Sequence, residues 1–333
     1  MTDDLACCRL CEWRCGVDRR SGERGVCRVG AAELAATMLS TTLSCFSVTL
    51  LGCCYRCLHC NAYRISQYPD PRWWYRGYVP PATLAAEARA RIAASGEPID
   101  RISFTGGDPI IHLPYIEQVA SCFAGGIGMA TGGFGTPETM RRVCRIADSI
   151  TLEIKGISDP DHRALTGAPV DPVLRNAAFL ARHARGRIRV FRTVVIPGIT
   201  DREIPEIARY IASLDETIPY RLIGFRPNNV LYYHPGPPRQ MMEELTEACR
   251  KEGLVDVQWS GYYPGSPPDD IDVRARRLRE VYGNSREAAV AAAYASRLGC
   301  PTHPRDCGGC PLWDRCPAVL REPWRPDRSE KRE

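Results

Sequence analysis

The sequence lacks the features that mark exported proteins and nucleic-acid-binding proteins. It has no internal repeat and no basic block, because 44 Lys and Arg residues against 39 Asp and Glu residues give a net charge of only +5 over 333 residues. That balance disfavours a nucleic-acid partner. The chain opens with the acidic stretch MTDD instead of a basic and apolar leader, so we expect no export signal and a cytoplasmic location.

Long apolar runs are also scarce. The one stretch without charge, residues 34–51, reaches the length of a transmembrane helix. Ser and Thr residues interrupt this stretch, and its Val, Thr and Phe residues favour strands. We therefore predict two buried strands joined by a turn, and no membrane association.

Cysteine, in contrast, is abundant, with 17 residues. In a chain without a leader, disulfides are the less favoured explanation and metal ligation is the natural alternative. Most of the cysteines fall into three groups, near the start, near residue 55 and near the end. The isolated ones fit small buried hydrophobic positions; they are Cys45, Cys122, Cys144 and Cys249.

Strand-like and helix-like segments alternate through the middle of the chain. The predicted strands are residues 47–51, 101–104, 127–130, 150–154, 188–195, 220–225 and 254–259. The predicted helices are residues 81–95, 114–124, 136–147, 173–184, 204–214 and 239–252. This alternation predicts an α/β fold with a parallel sheet, either doubly wound or a closed or partial barrel. In both architectures the functional residues lie at the carboxyl ends of the strands.

Three parts are predicted along the chain. Residues 1–44 form a cysteine-rich N-terminal module, and residues 45–263 form the α/β core. Residues 264–333 form a C-terminal extension with a second cysteine-rich segment and a charged tail.

The central cysteines, Cys53, Cys57 and Cys60, have the spacing C-x3-C-x2-C. Three thiolates from one loop can ligate three irons of a [4Fe-4S] cluster and leave the fourth iron open for chemistry. The alternative is a zinc ion with His59 or Cys54 as its fourth ligand. In the cluster interpretation Cys54 is a spare cysteine.

This loop resembles the cluster motif of the radical S-adenosylmethionine (SAM) superfamily, and residues 47–263 are closest in layout to the activating enzymes of glycyl-radical proteins. The resemblance implies a partial (β/α)6 TIM-like barrel of the radical SAM type with small cysteine-rich extensions. It implies that the open iron chelates SAM and that an electron from the cluster cleaves SAM to a 5'-deoxyadenosyl radical. A low-potential electron donor and an anaerobic setting are implied as well.

Further residues at successive strand ends match the SAM-binding positions of that superfamily. The implied contacts are His59 on adenine, Asn61 after the cluster, Gly106, Gly107 and Asp108 at the SAM amino group, Thr131 near the ribose, Glu153 on the ammonium or ribose, and Lys155 and Arg192 on the carboxylate. The family usually has Glu at the position of Asp108, and the activating enzymes prefer Asp at the position of Glu153. Each match alone fits an ordinary turn or a solvated charge, but their order on successive strands favours a SAM site.

The two terminal cysteine groups leave the metal open. Cys8, Cys11, Cys15 and Cys27 resemble the cysteine-rich start of some activating-enzyme-like proteins and can hold zinc or an iron-sulfur cluster. Cys300, Cys307, Cys310 and Cys316 resemble the auxiliary-cluster extensions of peptide-modifying radical SAM enzymes. Four thiolates close the coordination, so this second cluster would be structural or electron-transferring, with iron-sulfur favoured over zinc.

The substrate is inferred from aromatic loops and from layout. Residues 66–81 and 228–238 bring Tyr, Trp and His to loops near the strand ends, where they would suit a large cofactor or an extended peptide. The layout is similar to cobalamin-dependent methyltransferases of methanogens that modify methyl-coenzyme M reductase, in particular its glutamine C-methyltransferase. That resemblance implies cobalamin and a protein or peptide substrate, with methyl-coenzyme M reductase as the candidate.

Two other function classes remain open at this point. One is a glycyl-radical-enzyme activating enzyme, or another peptide-modifying radical SAM enzyme, with the same SAM site and no cobalamin. The other is a zinc protein that binds nucleic acid, which would leave Gly106, Gly107, Lys155 and Arg192 unexplained. No catalytic residue beyond the cofactor-binding set is assigned.

Overall fold

The structure, a computed structural model, describes residues 4–66, 76–226, 231, 234 and 236–261. Two compact units divide the chain. The first comprises Met1–Cys54, Ala62–Ile154 and Asp171–Phe191, and the second comprises Tyr55–Asn61, Lys155–Val170 and the chain from Arg192 onward. The predicted extension at residues 264–333, with its four cysteines, lies outside the described residues.

Nine strands and eight α-helices are present in the described residues. The strands are β1 (Glu33–Ser40), β2 (Cys45–Leu50), β3 (Gly77–Tyr78), β4 (Arg101–Gly106), β5 (Gly126–Thr131), β6 (Ser149–Glu153), β7 (Ile188–Val195), β8 (Tyr220–Gly224) and β9 (Val257–Ser260). The helices are α1 (Tyr63–Ser66), α2 (Pro81–Ser95), α3 (Leu113–Cys122), α4 (Pro137–Ile146), α5 (Asp159–Thr166), α6 (Asp171–His183), α7 (Ile204–Leu214) and α8 (Arg239–Lys251).

The sheet of the first unit is parallel except at one side. Its strands follow the order β3, β1, β2, β4, β5, β6. β1 pairs antiparallel with β2 and β3, whereas β2 with β4, β4 with β5 and β5 with β6 pair parallel. The carboxyl ends of β2, β4, β5 and β6 therefore meet at one edge of the sheet, which is where an α/β fold places its functional residues.

In the second unit β8 and β9 pair parallel, and the residues of β7 divide between the units. Its hydrophobic core includes a cluster formed by Leu58, Leu165, Ile196, Phe225 and Leu231. Leu58 belongs to the loop of residues 53–60, which carries the central cysteines and is called the cysteine loop below. Burial of the Leu58 side chain anchors this part of the loop to the core of the second unit.

The α/β class with a mostly parallel, open sheet is confirmed. Residues 34–51 form β1 and β2 as predicted, with Ser40 facing Cys45 across the turn. Within the described part of the chain, the helices are all too short or too polar to cross a membrane. β1 lies inside the predicted N-terminal module yet pairs with β2, and the predicted domain boundaries stay predictions.

Two helices, α1 and α5, were not predicted from the sequence, and α5 is the longer of the two. Its ends nevertheless carry the usual signals: the Ser158 side chain accepts a hydrogen bond from the Asp161 N–H, Pro160 lies in the first turn, and Gly167 closes the helix with φ of 81°. Such a cap, proline and glycine fix a short helix at its two ends.

Candidate functional site

A glycine turn at the end of β4 clamps the start of the cysteine loop. The Gly107 N–H donates to the Leu50 carbonyl at 3.0 Å, and the Asp108 N–H donates to the Gly52 carbonyl at 3.1 Å. A Cβ atom on Gly107 would lie 1.4 Å from the Gly52 oxygen, and Gly106 has φ of +117°. Only glycine fits this close approach of two backbones. The turn thus fixes the backbone immediately before Cys53.

Asp108 joins the ends of β4 and β5. Its Oδ1 accepts hydrogen bonds from the Thr131 hydroxyl at 2.7 Å and the Ile110 N–H at 3.1 Å, and its Oδ2 accepts from the Gly132 N–H at 3.0 Å. Because the Asp108 side chain is only 1% exposed, these donors are what make burial of the carboxylate tolerable. Two predicted SAM-site residues, Asp108 and Thr131, are therefore in direct contact.

Cys53 and Cys54 follow the clamped segment and are both buried. The Trp13 indole N–H donates to the Cys54 carbonyl at 2.8 Å. Burial, with the adjacent Cys53 and the Asp108 carboxylate, raises the pKa of the Cys54 thiol well above its ordinary value. Cys54 lies outside the C-x3-C-x2-C spacing, and its assignment as the spare cysteine stays a prediction.

In the second unit the rest of the cysteine loop lies against the end of α5. The Arg56 N–H donates to the Thr166 carbonyl at 2.8 Å, and the Leu58 N–H donates to the Leu165 carbonyl at 3.0 Å. These carbonyls belong to the last turn of a helix, where no intrahelical donor reaches them. The loop thus satisfies the end of α5, and α5 fixes the loop.

The next residues form a tight turn, in which the Cys60 N–H contacts the Cys57 carbonyl at 3.4 Å. Cys57 and His59 are buried, Cys60 is half-buried and Asn61 is exposed. Cys57 and Cys60 therefore lie on one turn, with the predicted adenine-contacting His59 between them.

Lys155 stands over an aromatic residue of the cysteine loop. Its Nζ lies 5.8 Å from the centre of the Tyr55 ring, a cation–π distance. The buried His162 ring meets Tyr55 edge-on at 6.1 Å, and its Nδ1 lies 2.7 Å from the Ala168 carbonyl. Burial lowers the pKa of His162 to about 4, so its imidazole is neutral. Sequence reasoning missed Tyr55 and His162, because neither belongs to a recognisable motif.

A buried pair of carboxyl groups, Asp161 and Glu203, supports the turn after Lys155. Glu203 accepts hydrogen bonds from the Ile157 N–H at 3.1 Å and the Ser158 N–H at 3.4 Å. The Ser158 hydroxyl donates to the Asp161 carboxylate. Burial, and then the Asp161 carboxyl, raise the pKa of Glu203 to about 7.

This pair predicts a pH-dependent stability. The folded chain keeps a proton on Glu203 up to about pH 7, whereas the unfolded chain releases it above the ordinary pKa of about 4.5. The stability that the protonated Glu203 carboxyl gives the folded chain is therefore fully present below about pH 4.5 and is lost as pH rises through about 7. Glu203→Gln cannot ionise, so its free energy of unfolding is expected to increase relative to wild type between about pH 5 and about pH 8.

Urea unfolding at the two pH values measures this effect. Glu206→Gln is the matched control, since Glu206 is exposed on the first turn of α7, and it should follow wild type. A difference between Glu203→Gln and wild type that is the same at both pH values would contradict the assignment.

The remaining predicted residues are placed as follows. Glu153 is the last residue of β6, and Arg192 lies within β7; both are partly buried. Cys8, Cys11 and Cys27 are buried, whereas Cys15 is exposed. All described cysteines are outside disulfides. Within the described ranges, no three His, Cys, Asp or Glu side chains are already arranged to hold a metal ion, so the ligand sets stay predictions.

Known proteins resemble this chain in its central part. Residues 47–211 match the model of the Radical SAM superfamily. The chain is 24% identical over 294 residues to an uncharacterized protein of Methanocaldococcus jannaschii, and the alignment covers 80% of this chain and 84% of that protein. It is also 24% identical over 236 residues to the pyruvate formate-lyase-activating enzyme of Staphylococcus epidermidis, and that alignment covers 64% of this chain and 88% of that enzyme.

The solved structure of a radical SAM methyltransferase from Sphaerobacter thermophilus is similar to this chain, with a TM-score of 0.49 and 17% sequence identity. The superposition covers 67% of this chain and 68% of that chain. The matched residues 47–211 begin in β2, include the whole cysteine loop and end in α7. The chain belongs to the radical SAM superfamily through this domain and is a radical SAM enzyme.

Proposed function

We propose that Cys53, Cys57 and Cys60 ligate the [4Fe-4S] cluster of this enzyme. The observation that supports this assignment is the C-x3-C-x2-C loop. The glycine turn holds the first part of this loop, and α5 fixes its second part. Three soft thiol donors with this spacing fit a cluster with one open iron. Bound there, the cluster and SAM supply a 5'-deoxyadenosyl radical, with electrons from a low-potential donor.

The chain's own residues bind and orient SAM in this proposal. The backbone at Gly106 and Gly107 accepts from the SAM amino group, while Asp108 fixes the turn through its contacts to Thr131 and Gly132. Lys155 and Arg192 provide positive charge for the SAM carboxylate. His59 packs on adenine, and Asn61, Thr131 and Glu153 complete the set.

The reaction that we infer for this chain is cobalamin-dependent C-methylation of a residue in a protein, with a glutamine of methyl-coenzyme M reductase as the candidate substrate. Bound cobalamin would supply a methyl group derived from a second SAM, and the chain would hold the substrate and the cofactors in place. The resemblance in layout, a compact core flanked by cysteine-rich segments that include Cys300, Cys307, Cys310 and Cys316, supports this part.

Product analysis tests the proposal. The reduced, reconstituted enzyme is incubated anaerobically with SAM, cobalamin and a peptide carrying the candidate glutamine, and 5'-deoxyadenosine and S-adenosylhomocysteine are quantified by mass spectrometry. Both products and a methylated peptide are expected, and S-adenosylhomocysteine should require cobalamin. Formation of 5'-deoxyadenosine alone would rule out methyl transfer while keeping the radical chemistry.

A second candidate is the activation of a glycyl-radical enzyme. It is favoured by the likeness to a pyruvate formate-lyase-activating enzyme, 88% of which is covered. This activity needs no cobalamin and leaves a stable glycyl radical on the partner protein. Electron paramagnetic resonance (EPR) of a candidate partner after incubation with enzyme, SAM and reductant separates the two: a glycyl doublet supports activation, and its absence beside a methylated peptide excludes it.

A further inference from the structure

We propose that Cys8, Cys11, Cys15 and Cys27 bind a single divalent metal ion, zinc or iron, as four thiolates, and that this N-terminal metal site holds the backbone around Cys53 in place. The proposal does not depend on the reaction that the enzyme catalyses.

The backbone of the N-terminal segment brings the four cysteines into one neighbourhood. The Gly16 N–H donates to the Cys8 carbonyl at 2.9 Å, which closes a loop containing Cys11 and Cys15. The backbone two residues before Cys27 packs on the Cys15 sulfur, since a Cβ on Gly25 would lie 2.8 Å from that Sγ. Burial raises the pKa of the Cys11 thiol, and the nearby Cys27, Cys15 and Cys8 thiols add smaller contributions in the same direction. The first pair also has the C-x2-C spacing common in structural zinc sites.

A buried arginine beside these thiols points to a missing negative charge. Arg19 is 3% exposed. Its Nη1 donates to the Cys8 Sγ at 3.8 Å and to the Ile111 carbonyl at 2.6 Å, its Nε donates to the Gly30 carbonyl at 2.9 Å, and its Nη2 contacts His112 Nδ1 at 3.4 Å. None of these acceptors is a carboxylate.

A buried cation needs a counter-charge. Four thiolates on one divalent ion carry two negative charges in excess of the metal, and a guanidinium that already reaches the Cys8 sulfur would neutralise part of that charge. Four protonated thiols would leave Arg19 buried without compensation. The arginine therefore favours a metal-bound tetrathiolate over four neutral thiols.

A single ion fits the spacing of these cysteines. The C-x2-C pair at Cys8 and Cys11 is common in structural zinc sites, where one tetrahedral ion needs only four sulfurs drawn around it.

The same module contacts the cysteine loop on one side of Cys53 directly, and on the other side through His112, which Arg19 contacts. The Trp13 indole, between Cys11 and Cys15, donates to the Cys54 carbonyl at 2.8 Å. On the other side His112 Nε2 lies 2.8 Å from the Leu51 carbonyl. A carbonyl can only accept, so the His112 proton is on Nε2 and its Nδ1 accepts from Arg19. A metal that orders this module orders the Cys53 backbone as well.

Cobalt titration tests the site in the full-length chain. In a cysteine-depleted variant, the central and C-terminal sets are replaced by alanine: Cys53, Cys57, Cys60, Cys300, Cys307, Cys310 and Cys316. Anaerobic Co²⁺ is expected to saturate this variant at one ion per chain, with thiolate-to-cobalt charge-transfer absorption and the visible bands of a tetrahedral ion. Because this variant lacks the proposed cluster ligands, its result is separate from that for SAM cleavage.

Two substitutions in this background provide a matched pair. Cys27→Ala is expected to lose the saturable signal. Cys7→Ala is the control and should keep it, because Cys7 is exposed and lies outside the proposed set. Absence of a saturable thiolate signal in the parent, or an unchanged signal in Cys27→Ala, would overturn the site.

Arg19 gives an independent check of the charge argument. Arg19→Met keeps much of the side-chain length and removes the charge, so the affinity for Co²⁺ is expected to fall about tenfold or more. Arg19→Lys should restore part of it. Equal affinity in Arg19→Met and its parent would contradict the argument.

The chain with its natural cysteines covers the case in which the depleted variant fails to fold, as judged by circular dichroism. There, Cys27→Ala is expected to lower the zinc plus iron in excess of acid-labile sulfide by one ion per chain, because a [4Fe-4S] cluster contains equal numbers of iron and sulfide. It should also weaken [4Fe-4S] occupancy at the central loop, while Cys7→Ala does not. If the zinc plus iron in excess of sulfide is unchanged in Cys27→Ala, the single-ion site is overturned.

Discussion

Cys57→Ala is expected to abolish the formation of 5'-deoxyadenosine from SAM. The substitution removes one of the three proposed thiolates, and the two neighbours of Cys57, Arg56 and Leu58, are held by backbone hydrogen bonds to α5, which restrains movement of another thiol into its place. A [4Fe-4S] cluster with only two protein thiolates is not retained. We expect the EPR signal of the reduced central cluster to disappear together with the product, which mass spectrometry measures.

Cys54→Ala is the matched control, because Cys54 is a buried cysteine of the same loop that lies outside the C-x3-C-x2-C spacing. Loss of this buried sulfur costs packing, on the order of 1 kcal/mol, but the cluster and SAM cleavage should persist. If Cys54→Ala folds and loses the cluster while Cys57→Ala keeps it, the ligand assignment is wrong.

Gly107→Ala is expected to give the largest loss of stability among single glycine substitutions in the candidate site. The new methyl group would lie 1.4 Å from the Gly52 carbonyl oxygen, so the two backbones must separate and the bonds from Gly107 to Leu50 and from Asp108 to Gly52 must lengthen or break. We expect a cost of about 3 kcal/mol or more, measured by urea unfolding, and reduced [4Fe-4S] content after reconstitution.

Gly186→Ala provides the control for backbone entropy. A Cβ at Gly186 would have open space around it, so this substitution should change stability by less than about 1 kcal/mol. Equal stability of Gly107→Ala and Gly186→Ala would show that the glycine turn does not clamp the cysteine loop.

Much of the fold follows from local pattern. The predicted strand at residues 188–195 matches β7, and the predicted helix at residues 81–95 matches α2. The helix is marked by a proline in its first turn, an alanine-rich sequence and Gly96 after its end. The helix α5 was missed, since its eight residues in SDPDHRALTG are too short and polar for periodicity to identify. Its signals are the capping serine, the proline and the final glycine, which are end signals and not a repeating pattern.

The sequence predicts the site only where the functional residues lie close together in the chain and form a recognisable motif. The cysteine spacing and the Gly-Gly-Asp turn are motifs of this kind, and both are recognisable from the sequence alone. The contact between Arg19 and His112, and that between Asp161 and Glu203, join residues far apart in the chain. Nothing in the sequence pairs them, because each is an ordinary polar residue until the fold buries it. The sequence alone also left open a zinc protein that binds nucleic acid, and membership of the radical SAM superfamily replaces that alternative.

The most direct test of the central claim is EPR spectroscopy of the reduced, anaerobically reconstituted chain before and after addition of SAM. If Cys53, Cys57 and Cys60 hold a cluster with an open iron, the spectrum is expected to change on SAM addition, and the change should be absent in Cys57→Ala. A reduced [4Fe-4S] signal that SAM leaves unaltered, in a chain with full iron and sulfide content, would contradict the assignment of this loop as the SAM-binding cluster site.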